Sequence, residues 1–323
     1  MLLYLEETSW ATEQPVLGIL VGLVLLVLGA NWLIRGAVWI ALVLGISRMT
    51  VGLTLVAFGT SAPELLVSLN AAFQGSPTLA MSNVLGSNMM NVLLILGVAG
   101  LICPIRLQVD RLELRHMLFA STLLIVPFVL RIGLTRWLAA IMLLQLLLFC
   151  GQLLHRERKQ KSPEAESADK PSSTPGGWLA NLFFVAAGFW MLSNGASWLV
   201  SGAAEAAEQL GMSEALIGVT ILAGGTSLPE LVTAIIAARK GHPELAIGGI
   251  LGSNIFNVGS VLGLCGLVHP LPIDHTQLLP ALVVATLAAF WLAGALRYFG
   301  GVGRKTAVGF LAMLATYFVT EML

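Results

Sequence analysis

Glu64 and Glu230 lie in apolar surroundings, inside the near-identical segments GTSAPEL (59–65) and GTSLPEL (225–231). A carboxylate at the centre of a bilayer costs at least ~2.5 kcal/mol on insertion scales, so such groups line an ion path or pair with something. In both segments a proline immediately precedes the glutamate and a glycine lies four residues before the proline. Proline inside a helix removes a hydrogen bond and clashes with the carbonyl one turn back, and glycine loosens the same turn. The pattern predicts a broken helix, with the carbonyls of Ala57 and Ala223 near the break and free to face a cavity. Irregular backbone at membrane depth is tolerated only where protein or water satisfies it.

A second polar pair follows, GSNMMN at 86–91 and GSNIFN at 252–257. Ser87 and Asn91 are four residues apart, as are Ser253 and Asn257, so each pair shares one helix face. Together with Thr60, Ser61, Thr226 and Ser227, the four segments supply two carboxylates, four amides and several hydroxyls. These are hard oxygen donors, suited to Na⁺ and Ca²⁺ and not to soft metals. Two ionised glutamates carry a charge that one Ca²⁺ neutralises, while several Na⁺ ions can occupy the same oxygens. A shared site unable to hold both loads exchanges them. No Cys/His cluster, phosphate-binding loop or nucleophile–histidine pair points to an enzyme or to a bound cofactor. Other roles for the same residues stay open. The glutamates could cap a broken helix, the asparagines could act as interhelical glue, and the hydroxyls could satisfy backbone groups freed by proline.

The elements that position these residues are membrane helices. Of the 323 residues 57% are hydrophobic and 11% charged, with mean hydropathy +0.89, where a soluble domain carries about 25% charge. A spanning helix needs about 20 mostly apolar residues. Ten such runs fall near 16–45, 50–73, 78–100, 115–132, 134–154, 178–204, 214–238, 244–268, 277–297 and 303–321. The first fourteen residues are acidic and polar and read as a short exposed tail. A net charge of zero gives no reason to expect nucleic acid. Cys103, Cys150 and Cys265 are scattered and read as packing residues.

Lys and Arg are retained on the cytoplasmic side. With both termini outside, 14 of the 17 fall in cytoplasmic loops, leaving Arg131 and Arg136 outside and Arg35 within the first span, where it can snorkel. Residues 155–177 (HRERKQKSPEAESADKPSSTPGG) are too polar to bury a core and read as a disordered cytoplasmic linker.

The chain also repeats itself at a constant offset of 166 residues, which carries Glu64 to Glu230, Asn91 to Asn257 and Pro104 to Pro270. The first copy is 1–154 and the second 178–323. Each holds five spans, an odd number, so the second enters the membrane inverted. Inverted repeats place transporter sites near the midplane at discontinuous helices.

GTSxPE followed by GSNxxxN, present in both halves, resembles the alpha repeats of the sodium/calcium exchanger (calcium/cation antiporter) superfamily, most of all its small prokaryotic members. The resemblance covers roughly 50–100 and 216–266. It implies a multi-pass protein of the cell inner membrane that exchanges Ca²⁺ against Na⁺ by alternating access. It implies cation ligands at Glu64 and Glu230, with support from Thr60, Ser61, Thr226, Ser227, Ser87, Asn91, Ser253 and Asn257 and from the carbonyls of Ala57 and Ala223. It also implies that the first and sixth helices slide past a rigid remainder. Some members carry Asp at the position of Asn257, so Asn here argues against potassium co-transport. Exchange of Ca²⁺ or Mn²⁺ against H⁺ is the alternative reading, and a passive cation channel a more distant one.

Overall fold

The computed structural model describes residues 9–74, 76–159, 173–210, 225–273 and 275–322. Its helices are α1 Pro15–Leu44, α2 Arg48–Thr60, α3 Ala62–Phe73, α4 Pro77–Ile102, α5 Arg111–Val129, α6 Arg136–Lys159, α7 Pro175–Gln209, α8 Leu228–Arg239, α9 Pro243–Val268, α10 His275–Tyr298 and α11 Arg304–Met322. Among the described residues, seven are long and apolar enough to cross a membrane, and α2 with α3, bent by 43°, has the length and composition of a broken span or a re-entrant loop. This is an all-α integral membrane protein. Most of the upstream half of the expected 214–238 span lies outside the described residues.

α1 and α7 show how glycine spacing shapes the packing. On α1, Leu20, Leu23, Val24 and Val27 are exposed, which gives a lipid-facing stripe at helical period. The opposite face carries Gly22, Gly29 and Gly36, and α7 carries their repeat mates Gly188, Gly195 and Gly202. A Cβ built on Gly22 would lie 2.6 Å from the Gly195 carbonyl oxygen, and one on Gly29 would lie 2.9 Å from that of Gly188. Numbers rise along α1 as they fall along α7, so the mates run antiparallel with their backbones in contact. Antiparallel mates are what an inverted repeat requires.

Short links between the halves close the two ends. β1 Ile105–Arg106 pairs antiparallel with β2 Gly301–Val302, and an isolated bridge joins Leu134 to Leu271. Leu271 is the repeat mate of Ile105, so the two links are near-symmetric counterparts.

Three sequence expectations change. The charged segment is narrower than 155–177, because α6 continues to Lys159 and α7 begins at Pro175; residues 160–172 lie outside the described set. Glu157, within that segment, is buried. Its carboxylate accepts from Ser47 N (3.1 Å), Ser47 Oγ (2.6 Å) and Thr50 Oγ1 (2.5 Å), so it caps the start of α2. The N-terminal tail is partly packed, since Ser9–Glu13 is helical, Ala11 is buried and Trp10 meets Trp198 edge-on at 5.0 Å. Arg35 lies 4.6 Å above the Phe184 ring of α7, a cation–π contact between the two long helices.

Candidate cation site

The site is built where α2 gives way to α3, where α8 begins, and where α4 and α9 cross. Ser61 has φ −83° and ψ 1°, and Ser227 has φ −91° and ψ 3°. Both lie in the sparsely allowed bridge region, where many active-site residues sit. Each is followed within two residues by the proline, which cannot donate to the preceding turn, and a helix starts there, α3 being bent by 43° from α2. Glu64 and Glu230 therefore fall in the first turn of the restarted helices, the end at which the helix dipole favours a carboxylate. They are 1% and 4% exposed and close enough to each other to interact electrostatically.

α4 and α9 carry the second motif pair. In both, α-helical winding gives way to a π-helical stretch at the second asparagine, over Asn91–Ile95 and Asn257–Leu262. Such bulges are frequent at functional sites and re-aim the side chains around them. The most apolar stretch of α9 is 100% buried, so its polar residues face protein. Ser87 is within hydrogen-bonding reach of the Glu64 carboxylate, and Thr60 of the Glu230 carboxylate. Ser253 Oγ lies 3.3 Å from Thr60 Oγ1. Gly252 lets α9 approach α2 closely, because a Cβ there would lie 2.7 Å from the Leu53 carbonyl oxygen.

Six oxygens of the expected set are buried without a protein hydrogen-bond partner: Ser61 Oγ, Glu64 Oε2, Asn91 Oδ1, and their repeat mates Ser227 Oγ, Glu230 Oε2 and Asn257 Oδ1. A buried polar group left unpaired costs about 1–3 kcal/mol, more if charged. Three such groups recur in both halves, and oxygens of this kind suit a hard cation.

The remaining expected residues divide. Thr226 is half-buried beside Ser227. The Ala57 carbonyl is not freed by the break, because it accepts the Ser61 N–H at 3.0 Å. Its second lone pair receives the Thr60 hydroxyl at 3.4 Å. Ala223 lies outside the described residues.

Three residues outside the expected ligand set also lie here. Asn88 and Asn254 interlock α4 with α9. Thr233 Oγ1 is buried without a partner and lines, with Thr60 and Glu230, a cavity of about 10 Å³, room for about one water-sized sphere. Symmetry could not have found Thr233, because its repeat mate is Val67.

The family profile for sodium/calcium exchanger protein matches residues 14–154 and 180–323. The chain is 41% identical over 262 residues to the putative antiporter CaxA of Alkalimonas amylolytica, spanning 79% of this chain and 81% of that one. It is 33% identical over 296 residues to the sodium/calcium exchanger MaX1 of Methanosarcina acetivorans, spanning 80% and 85%. Among solved structures, the sodium-calcium exchanger NCX_Mj soaked with 2.5 mM Na⁺ and 0.1 mM Ca²⁺ matches with a TM-score of 0.78 at 27% identity, over 96% of this chain and 98% of that one. With a matching profile across both halves, a relative 33% identical over 85% of its own length and the same architecture, the chain belongs to the sodium/calcium exchanger family.

Proposed function

We propose that the protein is a secondary antiporter that exchanges Ca²⁺ for Na⁺ by alternating access at this central site. Family membership supports cation antiport involving Ca²⁺. The observation that carries the finer reading is the set of six buried, unpartnered oxygens in repeat-mate pairs. Glu64 and Glu230 supply charge, Asn91 and Asn257 supply amide oxygens, and Ser61 and Ser227 supply hydroxyls. Thr60, Thr226, Ser87, Ser253 and the Ala57 and Ala223 carbonyls complete the shell. Two glutamates near enough to interact match the charge of a single Ca²⁺ or of Na⁺ ions taken in its place. The protein acts in the inner membrane with ten spans, both termini outside and residues 160–172 in the cytoplasm. That orientation rests on the skewed distribution of Lys and Arg.

The decisive experiment is ⁴⁵Ca²⁺ uptake into proteoliposomes loaded with Na⁺, beside matched vesicles loaded with choline or holding only a pH gradient. Uptake that requires internal Na⁺ is the expected result. Uptake driven by the pH gradient alone moves the coupling to protons. Uptake in every vesicle, with no need of a counter-ion, makes the protein a channel.

A further inference from the structure

The amides of Asn91 and Asn257 are useful to a cation only if their oxygens face it, and an amide can turn either end inward. The structure fixes the choice through a pair of asparagines outside the expected ligand set. Asn91 Nδ2 donates to Asn254 Oδ1 at 2.9 Å, and Asn257 Nδ2 donates to Asn88 Oδ1 at 3.0 Å. Asn88 Nδ2 in turn donates to the backbone oxygen of Asn254 at 3.3 Å, and Asn254 Nδ2 to that of Asn88 at 3.4 Å. All four side chains are buried. The two carbonyls involved lie three residues ahead of the π-helical stretches, where regular backbone pairing breaks down. The result is a closed ring of amides across the pseudo-two-fold axis.

The connectivity is crossed. The second repeat, through Asn254, holds the ligand amide of the first, and the first, through Asn88, holds that of the second. Turning the Asn91 amide over would set its oxygen against Asn254 Oδ1, acceptor to acceptor, and aim its NH₂ group at the cradle of oxygens. With the nitrogen held, Asn91 Oδ1 and Asn257 Oδ1 are left without protein partners.

We propose that Asn88 and Asn254 are positioning residues that orient the ligand amides of Asn257 and Asn91, each across the repeat interface, so that neither half-site is competent alone. This rests on the cation-site reading above and adds to it which residues set the site's polarity. Partners of metal ligands that lie one step back typically contribute 10–100-fold to metal affinity.

The test is equilibrium ⁴⁵Ca²⁺ binding to purified wild type and to N88A, N254A, N91A, N257A and their pairwise doubles, with size-exclusion profiles to confirm folding. N254A is expected to weaken binding by roughly 10–100-fold. N254A/N91A should be no weaker than the worse of its singles, because Asn254 acts through Asn91. N254A/N257A should show the product of both losses, because that pair is not linked. The same relation should join Asn88 to Asn257 and not to Asn91. N254D keeps an acceptor for Asn91 Nδ2 and should recover most of the affinity lost in N254A. Independent losses in the crossed pairs, or N254A binding like wild type, overturns the proposal while leaving the site reading intact. A wild-type protein that binds no Ca²⁺ overturns both.

Discussion

The outer helix pair and the four-segment centre of this molecule are built on opposite plans. α1 and α7 are unbroken helices of 30 and 35 residues. Little of α7 is covered, with 22% of its most apolar stretch buried against 100% in α9. Their mutual contact is backbone on backbone along a glycine track, with aromatic and cation–π contacts beside it. The centre instead has breaks at Ser61 and Ser227, π-helical stretches on α4 and α9, and amides knotted across the symmetry axis. Irregular winding and buried polar atoms cost stability, and they concentrate where oxygens converge. In the outer pair Asn181 is the buried polar side chain among the described residues, and Arg35 packs on Phe184. On the function proposed above, the centre holds ions and the outer pair moves as a unit past it.

The sharpest test of that division is at the glutamates. Glu64→Gln or Glu230→Gln should reduce Ca²⁺ flux at least about 100-fold, as expected when a charged ligand is removed from a buried shell, while the protein still inserts and elutes as wild type. Each substitution also replaces a buried, partly unpaired carboxylate by a neutral amide, so the melting temperature should rise or hold. Normal flux in either variant removes the proposed site.

The outer pair should fail differently. Gly29→Leu or Gly195→Leu forces a side chain into the facing backbone, and overpacking of this kind costs typically about 1–3 kcal/mol. Transport should slow by about tenfold, while equilibrium Ca²⁺ binding stays within about threefold of wild type. Gly252→Val, on the central face against Leu53, should impair binding itself. If Gly29→Leu abolishes binding as fully as Gly252→Val, the two regions are not functionally separable.

Asn91→Ala and Asn257→Ala come next, with Ca²⁺ affinity falling roughly 10–100-fold. Na⁺ and Ca²⁺ should be affected unequally, because the amide dipole matters most to the ion that draws fewest charges into its shell. Equal losses for both ions, measured by competition, would argue that the amides only brace the helices.

Much of this plan was legible beforehand, for physical reasons. A buried carboxylate beside a proline, repeated at a fixed offset, is costly enough to mark itself, and apolar runs of membrane length delimit the spans. Asn88 and Asn254 were hidden because each is turned about 100° around its helix from the Ser–Asn face, and a purpose becomes visible only with the partner helix in place. The Ala57 carbonyl keeps its bond to Ser61 because proline releases the carbonyl four residues before itself, that of Gly59. Glu157 was overlooked because a glutamate among HRERK looks solvated when only composition is read.

Glu157 therefore gives the mildest test, at the edge between the two regions. Gly45 ends α1 at φ 68°, and two residues later Ser47 opens α2 beneath the Glu157 carboxylate. The clasp ties the joint between outer helix and centre to the end of α6. In Glu157→Gln, one oxygen still receives the Ser47 and Thr50 hydroxyls. The new NH₂ group faces the Ser47 N–H, donor to donor, and the charge over the start of α2 is lost. The cost should be about 1–3 kcal/mol, seen as a melting temperature lower by a few degrees, with Na⁺-driven uptake within about twofold of wild type. That result means the joint is a passive anchor. A variant that melts like wild type but transports several times more slowly would make the clasp part of the moving machinery, and the boundary between rigid centre and mobile pair would shift from Gly45 into the first turn of α2.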